Sequence, residues 1–159
     1  MTFEDWAKFV LQSNVVAAVV VGLFGVLTLK LGIGKFASEK WWERRAAAYA
    51  AVIEGLHGVH AFHAKFVDSL EKRYELSEGY LSHLDEKSTS GLDEIRKGAN
   101  IGSFVMSKRA GLILKGALEK LDGVSFTQND PLSYHETKAA ILDDAIIAMT
   151  LEAKRDLGT

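Results

Sequence analysis

Hydrophobic and polar positions follow two regimes along this chain. From Phe9 to Leu29 there is no charged residue, and Val15 to Leu29 reads VVAAVVVGLFGVLTL, apolar or glycine except for Thr28. After Lys35 charges recur every few residues and the apolar positions become periodic. Trp42, Tyr49, Leu56, His63 and Leu70 repeat every seven residues, and Ala46, Ile53, His60, Val67 and Tyr74 form a companion row four positions later. Val52, Val59 and Phe66 widen the stripe. This spacing predicts a long helix over about residues 37–74, whose seam must pack on helices of the same chain or of further copies.

Shorter periodic segments follow. Ser77 and Glu78 open a second predicted helix reaching about Lys97, with Leu81, Leu84, Leu92 and Ile95 as its apolar positions. The KSTSG stretch, Lys87 to Gly91, is weakly helical and is a place where this element could split in two. Ser107 is an N-cap for a helix to Leu121, with Ala110, Leu114, Ala117 and Leu121 on one face. Asp130 and Pro131 are a start signal for a last helix with the stripe Ala139, Leu142, Ile146, Met149 and Ala153. The expected fold is therefore all-α. An N-terminal transmembrane helix in residues 1–35 precedes a helical bundle of four to five helices in residues 36–159.

The transmembrane expectation rests on the first regime. Val15 to Leu29 is too short alone to cross a hydrocarbon core of ~30 Å, which needs about 20 helical residues, so the span must also recruit Phe9 to Asn14. A secretory signal peptide fits less well: the chain begins MTFEDW, with Glu4 and Asp5, and offers no A-x-A site after the apolar run. A buried core helix fits less well too, because the run is apolar on every face. Lys30, Lys35, Lys40, Arg44 and Arg45 follow the run and only Lys8 precedes it, which predicts N-terminus out and the C-terminal domain in the cytoplasm of a bacterial inner membrane. Asn14, Ala18, Gly22 and Gly25 are the expected span-association positions, since small residues four apart let helices approach closely.

Composition narrows the chemistry. The formal net charge of −2 gives no general attraction to nucleic acid or anionic lipid. With no cysteine, thiolate metal sites and disulfides are excluded. His57, His60 and His63 recur at spacings of three, but no H-E-x-x-H pattern accompanies them, and His60 and His63 lie on the apolar seam. They read as core or interface histidines rather than metal ligands, and neither a metal nor a cofactor is expected. No nucleophile elbow, phosphate loop or dinucleotide fingerprint is present, so an enzyme is not expected. One basic cluster stands out. Arg96, Lys97, Lys108, Arg109 and Lys115 occur with no acidic residue between Glu94 and Glu119, a pattern suited to holding a phosphate, a nucleotide or a short nucleic-acid strand.

Two segments carry a resemblance. WWERRAAAYAAVIEGLH, Trp41 to His57, and DEIRKGANIGSFVMSKRA, Asp93 to Ala110, resemble shared blocks of uncharacterised bacterial single-pass membrane-anchored helical proteins. The layout is also similar to transmembrane effectors of anti-phage defence operons of the Hailong type, in which an oligomeric effector is restrained by a DNA oligomer. That resemblance implies a homo-oligomeric membrane effector, channel-forming or membrane-disrupting, gated through its cytoplasmic domain by a nucleotide or nucleic-acid ligand. The rival expectation is a non-catalytic membrane-anchored scaffold or ligand-binding adaptor. Membrane lipid, further copies of the chain, a nucleotide or single-stranded nucleic acid and a regulatory protein from the same operon are the partners these readings imply.

Overall fold

The structure, a computed structural model, describes residues 14–101, 104–126 and 130–158, with side chains described within 39–100, 104–126 and 130–158. The chain divides into two compact units, Met1–Trp41 and Trp42–Thr159. Four helices occur among the described residues: α1 (Asn14–Lys72), α2 (Glu78–Ile101), α3 (Lys108–Gly123) and α4 (Pro131–Leu157).

The single-pass anchor is not sustained. Among the described residues no helix is long and apolar enough to cross a membrane. Of the charge-free run Phe9 to Leu29 on which the span was placed, the described backbone holds Asn14 to Leu29, fewer than the roughly 20 helical residues that a ~30 Å hydrocarbon core needs. Phe9 to Ser13, which the span needed to recruit, lie outside the described residues. The inner-membrane location and the N-out orientation rested on that span and fall with it. The all-α bundle is what stands.

Within Trp42–Thr159 the core is built by one face of each helix. Tyr49, Val52, Leu56 and Val59 of α1 meet Ile95 and Ala99 of α2, Ala110, Leu114, Ala117 and Leu121 of α3, and Leu142, Ala145, Met149 and Ala153 of α4. The α3 face is the one its periodicity predicts. On α1 the buried row runs Tyr49, Val52, Leu56, Val59, His63, so the two valines are central to the seam, while Trp42, Leu70 and Tyr74 at its ends stay exposed.

The KSTSG stretch does not break α2, which is helical throughout. Its small residues serve a close crossing with α1. A Cβ on Gly55 would stand 2.9 Å from the Gly91 carbonyl oxygen, one on Gly91 would collide with the Gly55 carbonyl oxygen, and one on Gly58 would stand 3.1 Å from the Lys87 carbonyl oxygen. Weak helix propensity is overridden here by packing, because only small side chains admit backbones this close.

The ends of the helices are chemically marked. Ser107 accepts from the Ala110 amide at 3.0 Å to cap α3, and Asp130 accepts from the Ser133 amide at 3.0 Å to cap α4, with Pro131 in the first turn. Gly158, at φ 74°, closes α4 by donating to the Lys154 carbonyl. Past the end of α1, Arg73 takes φ 55° where a glycine would be unstrained.

Candidate docking face

Two polar clusters hold the bundle together, and both are consumed by the fold. At one end, Arg45 of α1 donates to both carboxylate oxygens of Asp156 at 2.6 Å, and its Nε donates to the Val105 carbonyl at 3.1 Å. The Tyr49 hydroxyl donates to Asp156 at 2.8 Å and accepts from the Ser107 amide at 3.2 Å. Burial, the largest influence, raises the Tyr49 phenol above the ordinary tyrosine value and keeps it a donor. Beside it Glu152, only 3% exposed, accepts from the Ser107 hydroxyl at 2.5 Å and from Arg155 at 2.6 Å, with Arg109 at 3.7 Å. One carboxylate thus ties the start of α3 to the end of α4.

Further along the α1–α4 contact, His63 and His135 bring their Nδ1 atoms to 2.8 Å. One ring must donate and the other accept, so a single proton lies between them. Phe66 stacks on His135 at 4.6 Å, and Phe62 and Tyr134 pack edge-on against the pair. Burial first, then Coulomb interaction with His135, Lys138 and His60, which disfavours a further positive charge, pushes the His63 imidazole down to about 4; burial and Lys138 also lower His135. His60 points the other way, with Nε2 3.2 Å from an Asp143 oxygen. The pair therefore sits neutral inside an aromatic enclosure. Among the described residues no group of three or more His, Asp or Glu side chains could hold a metal, and His57 lies on the rim of a separate α1–α2 groove with Glu54, Lys87 and Glu94.

The basic cluster predicted from sequence is spread over two helices. Arg96 and Lys97 lie on α2 and pair with their own helix, Arg96 with Asp93 at 3.6 Å and Lys97 with Glu94 at 3.4 Å. Arg109 leans on Glu152, while Lys108 and Lys115 are exposed on α3. Of the span-association positions, Asn14, Ala18, Gly22 and Gly25 lie in the α1 backbone, and their surroundings fall outside the described residues.

A different surface is left unfinished: the outer face of the α3–α4 hairpin. Leu112 on α3 is 69% exposed, and Ile147 and Leu151 on α4 are 60% and 63% exposed. On α4 the exposed positions Ala140, Asp144, Ile147 and Leu151 follow a 4-3-4 spacing, the mark of a second helical stripe opposite the core. Between the helices runs a shallow groove of about 290 Å³ whose walls include Leu112, Gly116, Lys120, Asp144 and Ala148. Gly116 opens onto free space, with nothing within 4 Å of where a Cβ would stand. Leu112, Ile147 and Leu151 were not singled out by sequence, because a core stripe and a docking stripe on one helix blur each other's periodicity. His135, Glu152 and Asp156 were missed as well. Glu152 left a trace: an acidic residue on the row Leu142, Ala145, Met149, Glu152, where an apolar one belongs.

No family model, no curated protein and no solved structure matches the chain. The likeness of Trp41–His57 and Asp93–Ala110 to membrane-anchored proteins and Hailong-type effectors is therefore not supported. With the likeness goes the defence-effector function drawn from it. The span that would permeabilise a membrane is not among the described helices, so the gated-effector reading and its membrane-anchored rival are both withdrawn.

Proposed function

We propose that this chain is a non-catalytic helical docking module whose working surface is the outer face of the α3–α4 hairpin. The observation that carries this reading is the exposure of Leu112, which lines the α3–α4 groove with Gly116 and Ala148, together with that of Ile147 and Leu151 on the outer side of α4. Single exposed leucines are ordinary, but three large apolar side chains left exposed on two adjoining helices mark a surface suited to being covered. The buried charged and imidazole groups described above are engaged with one another, which suits structural work better than turnover.

Ile147→Asp combined with Leu151→Asp tests the reading. Both side chains are already exposed, so helicity and melting temperature should hardly change. In native extracts of cells making the full chain, the wild type should elute as a complex and the double variant at the size of the single chain. Identical elution of the two, with the fold intact, refutes the docking function.

A further inference from the structure

The buried core ends on a pair of histidines. His63 is the last buried residue of α1, and of residues 131–141 at the start of α4 His135 alone is buried. Their Nδ1 atoms stand 2.8 Å apart, so the opening turns of α4 are fastened to α1 chiefly through one imidazole–imidazole contact. We propose that this contact is an acid-operated latch: a second proton on the pair releases the first turns of α4 from α1 and uncovers Phe62, Phe66 and Tyr134, while the far end of α4 stays fastened. The latch is independent of the docking reading and uses none of the exposed α3–α4 face.

Geometry makes the pair intolerant of charge. At 2.8 Å the contact holds one proton, donated by one ring and accepted by the other. With both rings protonated, two N–H donors would point at each other, and Phe66, stacked on His135 at 4.6 Å, restrains that ring from turning away. Among the described residues neither ring forms an ion pair with a carboxylate. The titratable groups facing the pair are His60 of α1, itself turned to Asp143, and Tyr134 and Lys138 of α4; neither α2 nor α3 contributes one that acts on it. Separation of the two helices lets each ring be hydrated and charged.

The opposite end of α4 is secured by different chemistry. Asp156 holds Arg45 and Tyr49, and Glu152 holds Ser107 and Arg155, with no histidine among them. Those contacts lie roughly 25–30 Å along the helix from His135, and Leu142, Ala145, Met149 and Ala153 bury the stretch between. The imidazole contact therefore governs one end of α4. In the closed bundle burial, the largest influence, holds His63 at about 4, and opening returns it toward 6.5. Between those values the open form takes up a proton that the closed form refuses, so opening becomes easier as pH falls.

Amide hydrogen exchange of the full-length protein, corrected for the intrinsic rate at each pH, measures this opening. Between pH 7.5 and 5.0 the opening constant of residues 134–139 should rise roughly thirtyfold for the uptake of one proton, while that of residues 149–156 changes by less than about threefold. His63→Leu with His135→Leu should abolish the rise. Lys138→Glu keeps both histidines and sets a carboxylate where it favours the second proton, so it should reduce the rise by at least about threefold. That variant decides the matter if the double leucine chain does not fold. An equal rise in both segments is global unfolding and overturns the latch. So does a flat response of residues 134–139, or a rise that persists unchanged in either variant.

Discussion

At the scale of single residues, the closest tolerance among the described glycines is the crossing of Gly55 and Gly91. Each glycine's missing Cβ is space occupied by the other's backbone carbonyl, and a backbone moves only with its whole helix. Gly91→Ala should raise the helix propensity of α2 and still lower stability, by about 1–3 kcal/mol, as overpacking outweighs propensity. Gly116→Ala, an exposed-side control in open space, should instead stabilise by about 0.5–1 kcal/mol. Denaturant titration of the two variants checks this, and a loss of stability in both would show that the crossing is not special. In the linear chain, Gly91 belongs to a stretch that looks like a turn. Nothing there distinguishes a glycine that ends a helix from one that lets another helix in.

Between elements, the α1–α4 contact depends on histidines that stay neutral. In the unfolded chain His63 titrates near 6.5, but in the bundle its imidazole is held down to about 4 by burial and by Coulomb interaction with His135, Lys138 and His60. Between those values the unfolded chain binds a proton that the folded chain refuses, so stability falls as pH falls through that window and is fully present above it. The groups facing the pair are His60, Phe62 and Phe66 from α1 and Tyr134 and Lys138 from α4; the carboxylate nearby, Asp143, is engaged with His60. The loss for His63 should be of the order of 3 kcal/mol across the window. Denaturant midpoints at pH 7.5, 5.5 and 4.5 would show it, and His63→Leu with His135→Leu should flatten the profile. Equal pH slopes in the two proteins would disprove this account. His63 was legible in sequence as a core histidine. Its partner was not, because His135 lies 72 residues away on a helix whose facing direction only packing sets.

For the whole molecule, the decisive long-range tie is Asp156, which brings the last turn of α4 to Arg45 and Tyr49 near the start of the bundle. Asp156→Ala leaves a half-buried guanidinium and a buried phenol without their acceptor. It should cost about 1–3 kcal/mol, read as a lower melting temperature, and Asp156→Asn should recover part of it by still accepting from Tyr49. Indifference to both substitutions would mean that Arg45 and Tyr49 find equivalent partners elsewhere.

Much of the architecture was determined by the sequence alone. Ser107, Asp130 and Pro131 start α3 and α4 where they do because caps act within a few residues, and Ala110, Leu114, Ala117 and Leu121 bury together because a helix face is a local periodicity. What tertiary structure decided are relations between helices. Packing turned KSTSG from an apparent break into a close crossing, set the cations of the apparent basic cluster on two helices with carboxylates beside three of them, paired two distant histidines, and left Leu112, Ile147 and Leu151 facing outward. Local periodicity states that a helix has an apolar face; it does not state how many neighbours share that helix, and the second face of α4 became visible only once the first was covered.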